Sequence, residues 1–207
     1  VVPPWQSYNG TMTRRDTMWK RHASSTLDTI KQRDALVCGV NPSLPGFAAA
    51  DSQGNWTGLD VDICKAVAAT ILGDDKKIKW VPLNASQRFT ALQSGEVDVL
   101  SRNTTWTLTP DASLGMNFAA VTYYDGQGFL LRRDAGIDTA LQLGGKTVCA
   151  QTGTTSELNL TDYFRANDMA LKVLALGTAE ESLKAYDDRK CDVLTSDVSQ
   201  LYAERLK

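Results

Sequence analysis

The sequence predicts an α/β protein with two lobes, each built around a parallel sheet. Two segments end alike: residues 92–103 (LQSGEVDVLSRN) and residues 185–197 (AYDDRKCDVLTSD). Each passes from a helix end through a polar turn into a short apolar strand and then a polar tip. In an open α/β sheet, ligands bind just beyond the carboxyl ends of the strands. Two such units in one chain therefore predict two lobes whose polar strand tips face a shared cleft.

Strands and helices alternate regularly from residue 26 to residue 100. A short helix over residues 27–33 leads into a strand that ends near Val40, and Asp60 is the predicted N-cap of the next helix. A strand over residues 78–81 follows. With the apolar strand of the first repeat, the order is strand, helix, strand, helix, strand, which predicts a right-handed parallel unit.

Three helix starts have the pattern of a capping box, in which two side chains three residues apart bond each other's backbone N–H groups. They are NASQ at residues 84–87, TTSE at residues 154–157 and TAEE at residues 178–181. The last two follow predicted strands at residues 147–150 and 171–174. The alternation of strand and helix therefore restarts in a second lobe.

The segment between the two units is extended, aromatic and interrupted by glycines. Residues 118–131 are predicted to form a strand that crosses from one lobe to the other, with Gly126 and Gly128 permitting it to bend. The predicted organisation is a flexible N-terminal extension at residues 1–25, lobe 1 at residues 26–122 and lobe 2 at residues 123–207.

Composition excludes several classes of protein. Apolar residues make up 43% and charged residues 22% of the 207-residue chain, as in an ordinary globular protein, and the net charge of -2 gives no reason to expect nucleic acid as a partner. No run of about 18 apolar residues is present, so no membrane insertion is predicted. The N-terminus has no apolar signal-peptide core, so an exported form is expected to have lost its signal already.

The four cysteines have neither zinc-finger nor redox spacing, and the single His22 gives no reason to expect a metal site. Three disulfide pairings are possible. We favour Cys38–Cys64 and Cys149–Cys191, because each then stays within one lobe. The alternative is four buried free thiols in a reducing compartment.

Polar residues at the predicted strand tips and helix starts are candidate ligand contacts. Thr154 and Thr155 open a helix, where hydroxyls and backbone N–H groups can hold a carboxylate; alternatively Thr154 only caps its own helix. The first repeat ends in Arg102 and Asn103, followed by Thr105, which offer donors, acceptors and a cation, or form an ordinary polar turn.

Two charged residues also have a functional and an ordinary interpretation. Asp197 is suited to pair with an ammonium group, or is the N-cap of the last helix. Arg88 points either into the cleft or into solvent from its helix. Four aromatic side chains either line an apolar pocket or belong to the core: Phe47, Trp56, Trp106 and Tyr123. The sequence holds no pattern of a catalytic triad or a phosphate-binding loop, and nothing in it indicates catalysis.

Six segments between residues 26 and 202 resemble a known family. They are CGVN (38–41), GNWTGLDVDIC (54–64), RFTALQSGEVDVLSRNTTWT (88–107), NFA (117–119), YYDGQG (123–128) and GTTSELNL (153–160). Together they resemble the periplasmic solute-binding proteins of polar amino-acid ABC importers, family 3, and especially the general L-amino-acid-binding branch.

The resemblance implies a type II periplasmic-binding-protein fold that closes on a free amino acid and delivers it to a membrane permease, without cofactor or catalysis. It implies that Asn103 and Thr105 hold the α-amino and α-carboxylate groups of the ligand. Thr155 would bind the carboxylate from lobe 2, Asp197 the ammonium group and Arg88 the ligand's side chain. Paired cysteines also fit the branch.

The sequence departs from the family pattern at two places. Relatives carry an arginine, the main partner of the ligand's carboxylate, where this chain has Pro110, so we expect weaker binding unless Arg102 or Arg88 compensates. Relatives also continue past the position of Lys207 and return to lobe 1, so both lobes are expected to be incomplete here. The alternatives to transport are a ligand-sensing or interaction domain, and a periplasmic dehydratase of the cyclohexadienyl type on the same fold.

Overall fold

The computed structural model describes residues 25–107, which we call the N-terminal lobe, and residues 116–205, which we call the C-terminal lobe. The N-terminal lobe contains α1 (Thr26–Arg33), β1 (Leu36–Val40), β2 (Ser43–Leu44), β3 (Ala48–Ala50), β4 (Trp56–Thr57), α2 (Leu59–Leu72), β5 (Ile78–Pro82), α3 (Arg88–Gln93) and β6 (Val99–Leu100). The C-terminal lobe contains β7 (Gln127–Leu131), two 3₁₀ turns (Arg133–Ala135 and Ala140–Leu143), β8 (Thr147–Gln151), α4 (Thr155–Ala166), β9 (Lys172–Leu176), α5 (Ala179–Asp187), β10 (Val193–Asp197) and α6 (Val198–Glu204).

Each lobe has a sheet whose central strands are parallel, which confirms the predicted α/β class. The N-terminal sheet has the order β5-β1-β6 and is parallel throughout. The C-terminal sheet has the order β7-β10-β8-β9, in which only β7 is antiparallel to its neighbour. A small antiparallel sheet, β2-β3-β4, was not predicted; it lies between β1 and α2 in the chain.

Both predicted disulfides are present, and each joins a central strand to another cysteine of the same lobe. Cys38 in β1 is bonded to Cys64 in α2, with a Cα–Cα distance of 6.4 Å. Cys149 in β8 is bonded to Cys191, with a Cα–Cα distance of 5.7 Å. In the chain-entropy model, loops closed over sequence separations of 26 and 42 residues contribute about 3.5 and about 4 kcal/mol to stability.

The repeated segments that predicted the two lobes fold alike. Asp98 exchanges two hydrogen bonds with the backbone of Val37: its N–H donates to the Val37 carbonyl at 2.9 Å, and its carboxylate accepts from the Val37 N–H at 2.7 Å. Asp192 does the same with Thr147, at 2.8 Å for both bonds. Each aspartate thus fixes the start of its strand against the start of the central strand, which sets how far the strand's tip projects.

The helix starts were predicted with mixed success. Thr178 and Glu181 form the predicted capping box of α5. Thr154 caps α4 as predicted, but the Glu157 carboxylate accepts from the N–H of Gly153 instead of Thr154, so that box is incomplete.

Two further predictions about helix starts were wrong in position. Asn84 and Gln87 do exchange hydrogen bonds, but the residues after Asn84 form a turn, and α3 begins only at Arg88. Asp60 is the second residue of α2, and its predicted N-cap position is held by Gly58. A φ of 124° at Gly58 and a hypothetical Cβ only 2.3 Å from the Phe47 carbonyl oxygen explain why glycine stands there.

The predicted strand over residues 118–131 is shorter than expected. Only Gln127–Leu131 is a strand, and it pairs with β10 inside the C-terminal lobe. Gly128 serves close packing and not bending, because an added Cβ would lie 3.0 Å from Val198 Cγ2 in α6. The boundary at residues 122 and 123 stays a prediction, and the predicted N-terminal extension lies almost wholly outside the described residues.

We predict that Asp98→Ala lowers the free energy of unfolding by about 1–3 kcal/mol, because the N–H of Val37 loses its acceptor and Arg33 loses its ion pair. Asp98→Asn keeps an acceptor and should cost less. Asp187→Ala, at the exposed end of α5, is the matched control and should change stability by no more than about 0.5 kcal/mol. Urea unfolding measures all three; equal stability of Asp98→Ala and Asp187→Ala would contradict the assignment.

Candidate functional site

All seven predicted site residues line one pocket between the two lobes. The space between the lining residues measures about 300 Å³, including space open to solvent. The predicted residues are Arg88, Arg102, Asn103, Thr105, Thr154, Thr155 and Asp197. The lining residues that the sequence did not predict are Ala85, Gln151, Ser156, Ser196 and Gln200. That these groups bind a ligand stays a prediction.

Polar groups of the two lobes contact each other directly across this pocket. The side-chain amide of Asn103 donates to the Asp197 carboxylate at 3.2 Å and to Gln200 Oε1 at 3.4 Å. The hydroxyls of Thr105 and Thr155 lie 3.0 Å apart. The two strand tips of the repeat therefore meet, as the shared-cleft prediction requires.

Asn41 orients the amide of Asn103. It follows β1 directly and donates from Nδ2 to Asn103 Oδ1 at 3.0 Å, while its own Oδ1 accepts from the Ser43 N–H at 3.2 Å. This leaves Nδ2 of Asn103 for Asp197. Asn41 was not among the predicted site residues, although the rule of polar strand tips applies to it as it does to Asn103.

Arg88 is buried and joins the lobes, so its interpretation as a solvent-facing helix residue is wrong. It is 4% exposed, and its guanidinium donates to the carbonyl oxygens of Asn103 and Gly153, both at 3.3 Å. Burial lowers its pKa to about 10, and the charge of Asp197 opposes that shift. The group stays cationic at neutral pH.

Arg102 supplies a second buried cation. It is 8% exposed, and its Nε and Nη1 have no hydrogen-bond partner among the described residues. Burial and the charge of Arg88 lower its pKa to about 9, whereas Asp60 and Asp197 raise it. Unpartnered donors in a buried site are costly and are available to a ligand.

Asp60 is the counter-charge of Arg102 and was missed as such. It is 3% exposed, and its Oδ2 has no partner among the described residues. Burial raises its pKa to about 6, and the charge of Arg102 opposes the rise. An acidic residue in the first turn of a helix is common, so no signal in the sequence distinguished this one.

Asp197 occupies the N-cap position of α6 but does not cap it. Its side chain makes no capping hydrogen bond and accepts from Asn103 instead. Burial raises its pKa; the hydrogen bond from Asn103 and the charges of Arg88 and Arg102 lower it, and the charge of Asp125 adds to the rise. The interpretation as a simple helix cap is wrong for this side chain.

The two threonines at the start of α4 have different roles. The Thr154 hydroxyl donates to the Gln151 carbonyl at 2.7 Å and caps α4 by accepting from the Glu157 N–H, so the ordinary interpretation holds for it. Thr155 is the first residue of α4, so its N–H has no partner within the helix. At Gly153, with φ of 78°, an added Cβ would lie 3.1 Å from Ser86 Cα, so glycine permits the close approach of the lobes here.

The four aromatic candidates do not line the pocket. Phe47 packs edge-on against Tyr123, with ring centroids 5.0 Å apart. Trp56 stacks on Trp80, and Trp106 stacks on Phe118 at 5.2 Å. Each ring has an aromatic partner, but Trp106 and Tyr123 are 50% and 52% exposed and therefore do not belong to the core either.

Two negative findings apply to the described residues alone. They contain no group of three or more His, Cys, Asp or Glu side chains that could hold a metal ion. None of their helices combines the length and the apolar composition needed to cross a membrane. Pro110, the expected departure from the family pattern, lies outside these residues.

Comparison with known proteins shows the family. The family described as bacterial extracellular solute-binding proteins, family 3, matches residues 36–185, and the chain belongs to it. The chain is 53% identical over 184 residues to the general L-amino acid-binding periplasmic protein AapJ of Rhizobium johnstonii, covering 89% of the chain and 54% of that protein. It is 50% identical over 183 residues to the glutamate/glutamine/aspartate/asparagine-binding protein BztA of Rhodobacter capsulatus, covering 88% and 54%.

A solved structure supports the same assignment. The ABC transporter periplasmic binding protein from Brucella ovis with glutathione bound is 54% identical and superposes with a TM-score of 0.84, covering 89% of this chain and 58% of that one. The fold is therefore that of the type II periplasmic-binding proteins. The chain spans about half the length of the curated relatives it matches.

We predict that Arg102→Gln raises the pKa of Asp60 above about 6, because the charge of Arg102 lowers it. Since 6 already exceeds the ordinary value of 3.8, the contribution of this carboxyl to stability is fully present below pH 3.8 and is lost as the pH rises through about 6. Titration by carbon NMR, with Asp60→Asn to assign the signal, measures the shift. Arg165→Gln, an exposed arginine of α4, is the control; a fall or no change in Arg102→Gln would contradict the coupling.

Proposed function

We propose that the chain binds a free polar or acidic L-amino acid in the periplasm and delivers it to the permease of an ABC importer, without catalysis or a cofactor. The observation that carries this proposal is the set of charges at the pocket wall: a carboxylate of one lobe faces two guanidinium groups of the other. An amino acid carries the complementary pair, an ammonium and a carboxylate group.

The contacts of the pocket match the α-groups of such a ligand. Asp197, already an acceptor for Asn103, is placed to bind the ammonium group. The hydroxyls of Thr105 and Thr155 and the first N–H groups of α4 are suited to the carboxylate, which the positive end of the helix dipole also favours. The ligand would replace lobe-to-lobe hydrogen bonds with bonds to itself.

The guanidinium donors of the pocket favour an acidic or amide side chain. Two arginines and one aspartate line the pocket, and Asp60, which does not line it, balances the charge of Arg102. Two guanidinium groups are therefore available as donors, one to the α-carboxylate and the other to an anionic or carbonyl group of the side chain. We assign this role to Arg88, with Arg102 nearer the α-carboxylate.

The relatives support transport over the alternatives. Their names describe amino-acid-binding proteins, in one case periplasmic, and that description favours an importer over a dehydratase or a sensing domain. The permease, the periplasmic location and the domain boundaries at residues 26–122 and 123–207 belong to this proposal.

A second ligand class is supported by the Brucella ovis structure with glutathione bound. The γ-glutamyl end of glutathione carries a free ammonium and a free α-carboxylate group. The contacts that we assign to an amino acid therefore apply to this peptide as well, and it belongs in the same titration.

We predict that Asp197→Asn weakens binding by at least about 30-fold, since loss of one partner of a buried charge pair costs about 2–5 kcal/mol. Calorimetric titration of the wild type against the twenty amino acids and glutathione identifies the ligand, and the variant is then titrated with it. Asp187→Asn, exposed in the same lobe, should bind as the wild type does. Tight binding that survives Asp197→Asn would overturn the assigned site.

We predict that Arg88→Gln weakens binding of glutamate more than binding of glutamine, because the carboxylate loses an ion pair with the guanidinium, whereas the amide loses only a hydrogen bond from it. The ratio of the two dissociation constants measures the effect independently of any general loss of affinity. Arg165→Gln is the matched control, since that arginine is exposed on α4. An unchanged ratio would show that Arg88 does not contact the ligand's side chain.

A further inference from the structure

Asp125 caps α6 although it lies outside that helix. Its carboxylate accepts from the backbone N–H of Ser199, at 3.3 Å to each oxygen, and from the Ser199 hydroxyl. Ser199 is the second residue of α6, and its N–H is one of the donors that an N-cap side chain normally satisfies. Asp125 therefore performs the task expected of the residue at the N-cap position.

The backbone around Asp125 holds it in this place. The N–H of Gly126 donates to the Asp125 carboxylate at 2.8 Å, and the Gly126 carbonyl accepts from the N–H of Val198 at 2.8 Å. Two consecutive N–H groups at the start of α6 are thus satisfied by the short stretch that precedes β7.

Asp197 and Asp125 are alternative acceptors for the same helix start. Aspartate at an N-cap position ordinarily bonds the N–H two or three residues ahead. The Asp197 side chain makes no such bond, and its carboxylate is turned to Asn103 in the other lobe. Asp125 already occupies the donor at Ser199, one of the two N–H groups that Asp197 could cap, and this removes part of the gain from turning back to its own helix.

We propose that Asp125 is a positioning residue for ligand binding: by capping α6 in place of Asp197, it keeps the Asp197 carboxylate in the pocket to receive the ammonium group of the ligand. The ammonium group rests on the proposed function. The assignment of the α6 cap to Asp125 does not rest on that function, because it follows from the hydrogen bonds alone.

Asp125 also acts on Asp197 through its charge. Burial and the negative charge of Asp125 raise the pKa of Asp197, and the hydrogen bond from Asn103 and the positive charges of Arg88 and Arg102 lower it. Removing the charge of Asp125 therefore lowers the pKa of Asp197. Binding that needs ionised Asp197 should then persist to a lower pH.

Two substitutions separate the cap from the charge. Asp125→Ala removes both, so Asp197 should turn to cap α6 and ligand affinity should fall by about 3- to 30-fold. Asp125→Asn keeps an acceptor for Ser199, so ligand affinity at pH 7 should stay within about threefold of the wild type. The pH below which binding is lost should be lower than in the wild type. Asp187→Ala and Asp187→Asn are controls for the loss of one exposed carboxylate.

Hydrogen exchange of the Ser199 amide tests the cap without any ligand. In the wild-type background, Asp197→Ala should leave its protection unchanged; in the Asp125→Ala background, the same substitution should remove it. Wild-type protein that binds no amino acid would refute the proposed function while this exchange experiment still decides the cap. Wild-type affinity in Asp125→Ala, or protection of Ser199 that does not depend on Asp197 in that background, would overturn the positioning role.

Discussion

The hydrogen bond from Asn103 to Asp197 is the contact on which the site depends. The two residues hold equivalent positions of the repeated unit, 94 residues apart: Asp197 ends β10, and Asn103 lies three residues beyond β6. Asp98 and Asp192 fix the starts of these strands in the same way. The Asn103 amide and the Asp197 carboxylate meet because both lobes fix the start of the strand with the same pair of aspartate hydrogen bonds.

A second constraint is the burial of four charged groups around that contact. Arg88, Arg102, Asp60 and Asp197 are largely removed from water, and an isolated charge in that position would be strongly unfavourable. Two positive and two negative charges offset the energy of removing each charge from water. The pKa of each arginine therefore falls but stays above neutrality, and the pKa of Asp60 rises only to about 6. Among the described residues these four groups form no direct ion pair. Arg88 and Asp197 hydrogen-bond to other protein groups, whereas Nε and Nη1 of Arg102 and Oδ2 of Asp60 have no partner there.

Sequence could predict what depends on local pattern. The repeat, the alternation of elements and the rule of polar strand tips led to the α/β class, both disulfides and the pocket residues from both lobes. They could not place Asp60, whose partner Arg102 lies on another element. They also could not decide whether Asp197 caps its own helix, because the competing acceptor acts on Ser199 over a separation of 74 residues. Local patterns supply acceptors, whereas the fold determines which acceptor each donor receives.

The stretch that precedes β7 follows the connection between the lobes and also bonds the start of α6. Gly126 and Asp125 bond the first N–H groups of α6, and β7 pairs along the whole of β10, from Val193 to Asp197. The strand that carries Asp197 is therefore held on one side by the residues that follow the connection between the lobes. Under the proposed capping by Asp125, a rearrangement of that connection would remove the acceptor at Ser199 and free the Asp197 carboxylate to cap α6. The connection and the Asp197 carboxylate would then be linked through a few hydrogen bonds at the start of α6.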